Sequence, residues 1–335
     1  MNIKKIAKIA NVSIATISRV INDKPGVKAE VRERIKKILK ENDYTPNLMA
    51  RGLVRKKSNT IGLMIPRFLG YYTERTEAIL EICKKNKYNV MIASAVGRFQ
   101  GEAENFNMLL ENQVEGIIYF VGYMSEENRE IIKKINKKIP VILVDQSISE
   151  FEIPTILPDN YDGAIKIMEY IIGKGHSKIA FIGGPKYDHE GQKRYTAYKY
   201  MMKKNKFEIK KGYFQEGVYS IESGYEATKK IFEESEELPT IIFSSNDNMA
   251  IGAIKEIQKR GYKVPEDISV IGIDDIEIAK HFTPPLTTLK QNQYEIGRVA
   301  GQLVLDCINN KEIKNKKVII GQDLIIRESV KKINK

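Results

Sequence analysis

The sequence predicts a small all-α head of helix-turn-helix type followed by an α/β body of two doubly wound parallel-sheet lobes. Three observations predict it. The first 57 residues are basic and helix-periodic, the chain beyond them alternates short apolar strands with amphipathic helices, and those strands outnumber what one ordinary sheet holds. At 335 residues with 42% hydrophobic content, the chain is long enough for more than one compact domain, each with its own core.

Charge divides the chain at the same place. The net charge is +12, and residues 1–57 hold 15 Lys and Arg against 5 Asp and Glu, a balance of +10. The remainder, with 40 basic and 38 acidic side chains, balances at +2. A basic head on a nearly neutral body suggests that the head meets a polyanion while the body does something else. A solvated Lys-rich surface is the plainer alternative on charge alone.

Within the head, Ile3, Ile6, Ala7 and Ala10 fall on one side of a first helix, with Lys4, Lys5 and Lys8 opposite. Asn11 tolerates the left-handed turn that ends it, and Ser13 is placed to cap a second helix. Along "NVSIATISRVIN", Ile14, Ala15, Ser18, Arg19 and Asn22 share one face, while Thr16, Ile17, Val20 and Ile21 share the other. The apolar face packs on the first helix, and the small polar face with its single guanidinium is left outward. A third amphipathic helix, "AEVRERIKKILKEN", turns Val31, Ile35, Ile38 and Leu39 inward. Helix, tight turn, helix and supporting helix form the plan whose second helix enters the DNA major groove. Lys and Arg elsewhere would supply phosphate attraction; base reading falls to Ile14, Ala15 and above all Arg19.

In the body, strands are expected at "TIGLMIP", "YNVMIASA", "VEGIIYFV", "IPVILVD", "KIAFIGG", "PTIIFSS" and "DISVIGIDD". Between them lie helices such as "YYTERTEAILEICKKNK", "GEAENFNMLLENQ", "DGAIKIMEYIIGKG" and "NMAIGAIKEIQKRG". Ligand sites in such folds sit at the carboxyl ends of strands. There the sequence places Asp145, Asn246, Asp247, Asp274 and Asp275, with Arg194 after "FIGGP". Carboxylates, an amide and a guanidinium around one cleft suit a ligand rich in hydroxyls or ring nitrogens. Asp247 and Asp275 also fit helix capping, which leaves Arg194, Asn246 and Asp274 as the first choices for ligand contact.

The stretches "IAKIANVSIATISRVINDKPGV" and "VRERIKKILKENDYTPNLMARGLVRKKSNTIGLMIP" resemble the N-terminus of the LacI/GalR family of bacterial transcriptional regulators, and the match runs along nearly the whole chain. The resemblance implies a periplasmic-binding-protein-like core whose lobes close on a small molecule, with chain crossings near residues 158, 288 and 320. It implies domains at 1–46 (helix-turn-helix), 47–57 (hinge helix and linker) and 58–335 (effector-binding and dimerisation core). The N-terminal lobe would hold about 58–157 and 289–319, the C-terminal lobe about 158–288 and 320–335. DNA contacts are expected from Ser13, Ile14, Ala15 and Thr16, from Ser18, Arg19 and Asn22, and from the family pattern residues Tyr44, Asn47, Ala50, Arg51 and Leu53. Leu53 would be the wedge that a hinge helix inserts into the minor groove. Effector contacts are expected from Arg67, Tyr71, Tyr72, Asp145, Arg194, Asn246 and Asp274. Two departures stand out: Lys28 where the family often has Ser or Thr, and "PRFLGYY" where many members read "PDISNPFF". Tyr71 and Tyr72 would stack on a sugar or base, or simply pack at the cleft mouth. Arg67 beside Arg194 raises an anionic effector such as a sugar phosphate.

Other classes lose support. The chain carries no Walker loop, G-x-S-x-G elbow or G-x-G-x-x-G after a strand, so no enzyme is expected. Cys83 and Cys307 lie in apolar helical patterns without ligand spacing, and His176, His189 and His281 are scattered, so neither metal nor cofactor is implied. Without a run of 18 apolar residues or a signal peptide, a cytoplasmic location and no membrane partner are expected. A transport solute-binding protein shares such a body but not the basic helical head. The expected partners are double-stranded DNA with a roughly palindromic site, a small-molecule effector and a second copy of the chain. The ending "VIIGQDLIIRESVKKINK" adds no heptad segment, which favours a dimer over a tetramer.

Overall fold

Three short helices enclose the head's apolar residues. In the computed structural model, which describes residues 3–21, 23–43, 58–66, 70–94, 101–122, 124–148 and 152–333, they are α1 (Ile3–Ile9), α2 (Ile14–Ile21) and α3 (Ala29–Glu41). Ile6, Ala7, Ala10, Ile17, Val20 and Ile35 form the core between them. Asn11 takes a positive φ of 50° at the turn between α1 and α2. The Ser13 hydroxyl then accepts the Thr16 N–H at 3.1 Å, which starts α2. Two of the head's basic residues are structural. Arg32 of α3 binds Asp23 at 2.8 Å and the Lys24 carbonyl at 2.6 Å, and Arg34 donates to the Ala10 carbonyl. Lys28 precedes α3 without a side-chain cap.

Residues 1–59 and 60–335 are separate compact units. The larger contains two six-stranded sheets. In the first, β1 (Thr60–Ile65), β2 (Asn89–Ser94), β3 (Gly116–Phe120), β4 (Val141–Val144), β5 (Thr155–Pro158) and β11 (Lys317–Ile320) run in the order β11-β5-β4-β3-β1-β2, all parallel. Its helices are α4 (Thr73–Lys85), α5 (Glu102–Glu111), α6 (Glu126–Asn136) and α11 (Gln293–Ile308). In the second, β6 (Ile179–Gly183), β7 (Phe214–Glu216), β8 (Ile241–Ser244), β9 (Ser269–Asp274), β10 (Thr287–Gln291) and β12 (Gln322–Ile325) run β12-β10-β9-β8-β6-β7, with only β12 antiparallel. Helices α7 (Asn160–Gly173), α8 (His189–Lys204), α9 (Ile221–Glu234) and α10 (Asp247–Lys259) accompany it.

The strands are apolar throughout because both sheet faces are covered, and each sheet is sandwiched between two buried apolar clusters. Packing is tight where the site is built. A Cβ on Gly297 would stand 2.1 Å from the Arg75 carbonyl oxygen, so glycine lets α11 lie against the α4 backbone.

The pattern of long apolar strands found seven of the twelve strands among the described residues and passed over β5, β7, β10, β11 and β12. Those five span three to five residues, and β7, β11 and β12 lie at sheet edges, where half-exposed polar residues break the apolar run. The chain passes between sheets after Pro158, at Asn292 and at Gly321. The middle passage falls beyond the expected 288 because Thr287–Gln291 pairs with β9 and so stays in the second sheet.

Candidate ligand cleft and nucleic-acid face

Helix α2 turns Ile17 and Val20 into the head and leaves Ile14, Ala15 and Arg19 exposed, with Ser18 and Thr16 half-buried. Ile14, an isoleucine 44% exposed at the N-terminal end of the helix, has no packing role to explain it. The Ser13 and Thr16 hydroxyls lie 2.9 Å apart and are used at the helix start. Asn22, Tyr44, Asn47, Ala50, Arg51 and Leu53 lie outside the described residues, as does Arg67.

Both sheets share one strand order, β2-β1-β3-β4-β5 in the first and β7-β6-β8-β9-β10 in the second. Each therefore reverses direction between its first and third strands, and the crevice outside the carboxyl ends at such a point is where doubly wound sheets bind ligands. A cavity of about 300 Å³ lies there. Pro66, Tyr71, Tyr72, Gly122 and Asp145 line it from the first sheet, and Asp188, Arg194, Tyr219, Asn246 and Asp274 from the second. All six expected effector residues that fall within the described residues line this one cavity.

What each side chain does there differs from residue to residue. Arg194 is 7% exposed and anchored: Nε and Nη2 donate to Asn160 Oδ1 at 3.0 and 2.8 Å, and Nη1 donates to the Ser245 carbonyl at 2.5 Å. Asn160 opens α7 just beyond the first passage between sheets, so the guanidinium is fixed by the element that enters the second lobe. Asp188 caps α8 through the Gly191 N–H and accepts the Tyr219 hydroxyl at 2.5 Å. Asp274, at a φ of 127°, accepts the Gln291 amide at 2.7 Å. Burial raises the Asp274 carboxyl to about 7, against the lowering influence of Arg194 and the Gln291 bond.

The capping assignment is corrected. Asn246, not Asp247, is the N-cap of α10, its side chain accepting the Met249 N–H at 2.9 Å. The cap is the residue of extended backbone just outside the helix, and the helix begins one residue earlier than a cap at Asp247 requires. Asp247 instead points into the protein, fully buried, accepting the Thr288 hydroxyl at 2.5 Å and the Ile276 N–H at 3.0 Å. Asp275 caps nothing either; it pairs with Arg327 at 2.6 Å.

Sequence reasoning missed Arg75. Its guanidinium is fully buried, Nη1 meeting Asp145 Oδ2 at 2.6 Å and Nε donating to Gln293 Oε1 at 2.5 Å. It also lies 5.1, 5.4 and 5.1 Å from the ring centroids of Tyr71, Tyr72 and Phe120. Burial alone would lower its proton affinity; the Asp145 charge and hydrogen bond, together with the Tyr71 and Tyr72 hydroxyls, more than reverse that and keep it cationic. Tyr71 and Tyr72 thus border the cavity and also pack on a cation, so stacking and packing coexist in them. The signal was present: a charged residue at an inward-facing position of an otherwise apolar helix stripe. Gln291, Asn160, Asp188 and Tyr219 were also missed, since they come from short elements or loops with no pattern of their own.

Cys83 is buried and Cys307 half-buried, both free thiols. Among the described residues no group of His, Cys, Asp and Glu is arranged to hold a metal ion. Among them, too, no helix is long and apolar enough to cross a membrane.

A small helical head with an outward-facing second helix, and a two-lobed α/β body with a polar cleft, define a class: a nucleic-acid-binding regulator with a ligand-receiving core. Comparison with known proteins makes this specific. Residues 2–47 match the profile of bacterial regulatory proteins of the lacI family, and residues 168–330 match that of the periplasmic binding protein-like domain. The chain is 34% identical over 333 residues to catabolite control protein A of Priestia megaterium and 31% identical over 333 residues to the HTH-type transcriptional repressor PurR of Vibrio vulnificus. Each alignment covers 99% of both chains. The crystal structure of the lac repressor dimer bound to operator and the anti-inducer ONPF superposes with a TM-score of 0.89 at 27% identity, covering 99% of each chain. The chain belongs to the lacI family of bacterial regulatory proteins.

Proposed function

We propose that the protein is a sequence-specific DNA-binding transcriptional repressor whose operator affinity is set by a small polar effector bound between the core lobes. The observation that carries this reading is the cavity at the switch points of both sheets, in a chain whose head presents an unpacked recognition face. In the head, Ile14, Ala15 and Arg19 read base edges in the major groove. The segment containing Tyr44, Asn47, Ala50, Arg51 and Leu53 serves as the hinge that enters the minor groove. Residues 1–46, 47–57 and 58–335 take the roles of reader, hinge and effector-binding, dimerising core. Two copies then present two heads to a roughly palindromic site, in line with the operator-bound dimer of the related lac repressor. Effector binding shifts the lobe angle and with it the pairing of the hinges.

Within the cleft, Arg194, Asn246 and Asp274 hold the effector, with Tyr71, Tyr72 and Asp145 forming the opposite wall. The described lining carries Asp145, Asp188 and Asp274 against the single cation Arg194. That balance favours a neutral polyhydroxy effector, a sugar or sugar derivative, over a phosphorylated one. The named functions of the relatives, regulators and repressors, favour a non-enzymatic role, and a cytoplasmic location follows from acting on DNA. A transport solute-binding protein remains the alternative for the body alone, and the basic head argues against it.

The test selects duplexes from a randomised double-stranded library with the full chain, then repeats the binding with sugars added. Recovery of a palindromic motif, lost on deletion of residues 1–57 and weakened or strengthened by one sugar, is the expected result. Recovery of random sequence would overturn the reading.

A further inference from the structure

Asp247 is a carboxylate without a cation. It has no exposed surface, does not line the cavity, and among the described residues its two oxygens accept only the Thr288 hydroxyl and the Ile276 N–H. Room for it exists because residue 272 is glycine: a Cβ there would stand 2.2 Å from Asp247 Oδ1. Its charged neighbours are acids. Asp274 and Asp275 both follow from β9 on the side packed against it, and both act to raise its proton affinity. The arginines of the surrounding elements are committed elsewhere: Arg327 to Asp275, Arg75 to Asp145, and Arg194 to Asn160 and the Ser245 carbonyl. The charged and polar groups that act on Asp274 are Arg194 from α8 and the neighbouring-strand Gln291 amide in its own lobe, and Arg75 from α4 and Asp145 after β4 in the other. Two carboxyls so placed, one sealed and the other half-buried, repel each other's charge, so the second ionises only at a higher pH than the first.

We propose that Asp247 is a positioning residue that keeps its proton while Asp274 ionises, so that Asp274 is the member of the pair that faces the ligand as a carboxylate. A neutral Asp247 keeps its hydrogen bonds to β10 and to the turn after β9, which fixes the Asp274 backbone. Asp274 is then left to accept hydrogen bonds from ligand hydroxyls or an amine. Burial foremost, and then the Asp274 charge, hold the Asp247 carboxyl well above the usual carboxylate range. When the pH rises far enough, the proton leaves Asp247 for solvent and a second negative charge appears beneath the cleft. The ligand consequence rests on the reading of the cleft as an effector site; the proton itself does not.

The experiment therefore uses the ligand-free full chain. Protein labelled with ¹³C at the aspartate carboxyl carbons is titrated by NMR from about pH 4 to about pH 9, a range that spans ordinary and raised carboxyls. The wild type is expected to show two raised steps, that of Asp274 at about 7 and that of Asp247 well above the usual carboxylate range, assigned by their loss in Asp274→Asn and Asp247→Asn. In Asp274→Asn the Asp247 step is expected to fall by about ten-fold or more in proton affinity. Release of both protons below about pH 5 in the wild type would overturn the proposal. So would an Asp247 step that Asp274→Asn leaves in place. The wild-type titration decides alone if a variant does not fold, and neither measurement depends on whether any sugar binds.

Discussion

Replacing Arg75 by Met removes the one fully buried cation among the described residues of the first lobe while keeping an unbranched side chain to pack on Tyr71, Tyr72 and Phe120. Three partners are left behind, Asp145 at 2.6 Å, Gln293 at 2.5 Å and, more loosely, the Tyr71 hydroxyl at 3.4 Å. Breaking a buried ion pair from one side costs about 3–5 kcal/mol, because the remaining charge is stranded. The Asp145 side chain retains 21% of its surface, so water recovers part of that loss, and a destabilisation of about 3 kcal/mol is expected. In Arg75→Met/Asp145→Asn the stranded charge is gone, and the double variant should recover about 1–2 kcal/mol relative to the sum of the singles. Asn suits position 145, whose φ of 72° is left-handed. Urea unfolding of the full chain followed by circular dichroism measures all four proteins. An Arg75→Met variant within about 0.5 kcal/mol of wild type, or strictly additive singles, would refute the account of Arg75 as a cation held by Asp145.

Arg19→Ala should narrow the gap between selected and random DNA with little change in the salt dependence of binding, measured by fluorescence anisotropy at several salt concentrations. Equal weakening on both DNAs together with a shallower salt slope would make Arg19 a phosphate contact. The Asp274 carboxyl, about 7 in the folded protein, lies above its unfolded value, so the native state binds the extra proton. Its contribution to stability is full below about pH 4 and is lost as the pH rises through about 7. Urea midpoints should accordingly fall over that window in wild type and change less in Asp274→Asn; a steeper fall in the variant would contradict the assignment. Asn246→Ala removes the α10 cap and should lower stability by about 1 kcal/mol in the same assay. An unchanged midpoint would show that the cap bond contributes nothing.

Much of the molecule was legible before any coordinates. Periodicity placed α1, α2 and α3 and divided α2 into its two faces, because a three-helix head has few ways to bury Ile6, Ile17 and Ile35 together. Alternation of apolar strands with helices gave the parallel sheets, since a strand covered on both faces has to be apolar along its length. The strand-end residues Asp145, Asn246 and Asp274, with Arg194 in the helix that follows β6, were found because doubly wound sheets bring those ends to one crevice.

What the tertiary structure alone decided was who pairs with whom. Asn246 and Asp247 are adjacent acceptors, and nothing local says which one caps α10 and which one is sealed beneath the cleft. That choice is made by where β9 and β10 pass, through Gly272, Ile276 and Thr288. Arg75 and Gln293 are separated by 218 positions, and they meet only because Gly297 lets α11 close on α4. Local pattern sets which residues turn inward; the long-range approach of backbones sets whether an inward polar group finds a counter-charge, a hydrogen bond or a proton. In this chain the sequence by itself determined the head, the two sheets and the rim of the cleft, and the packing of distant elements decided the electrostatics within it.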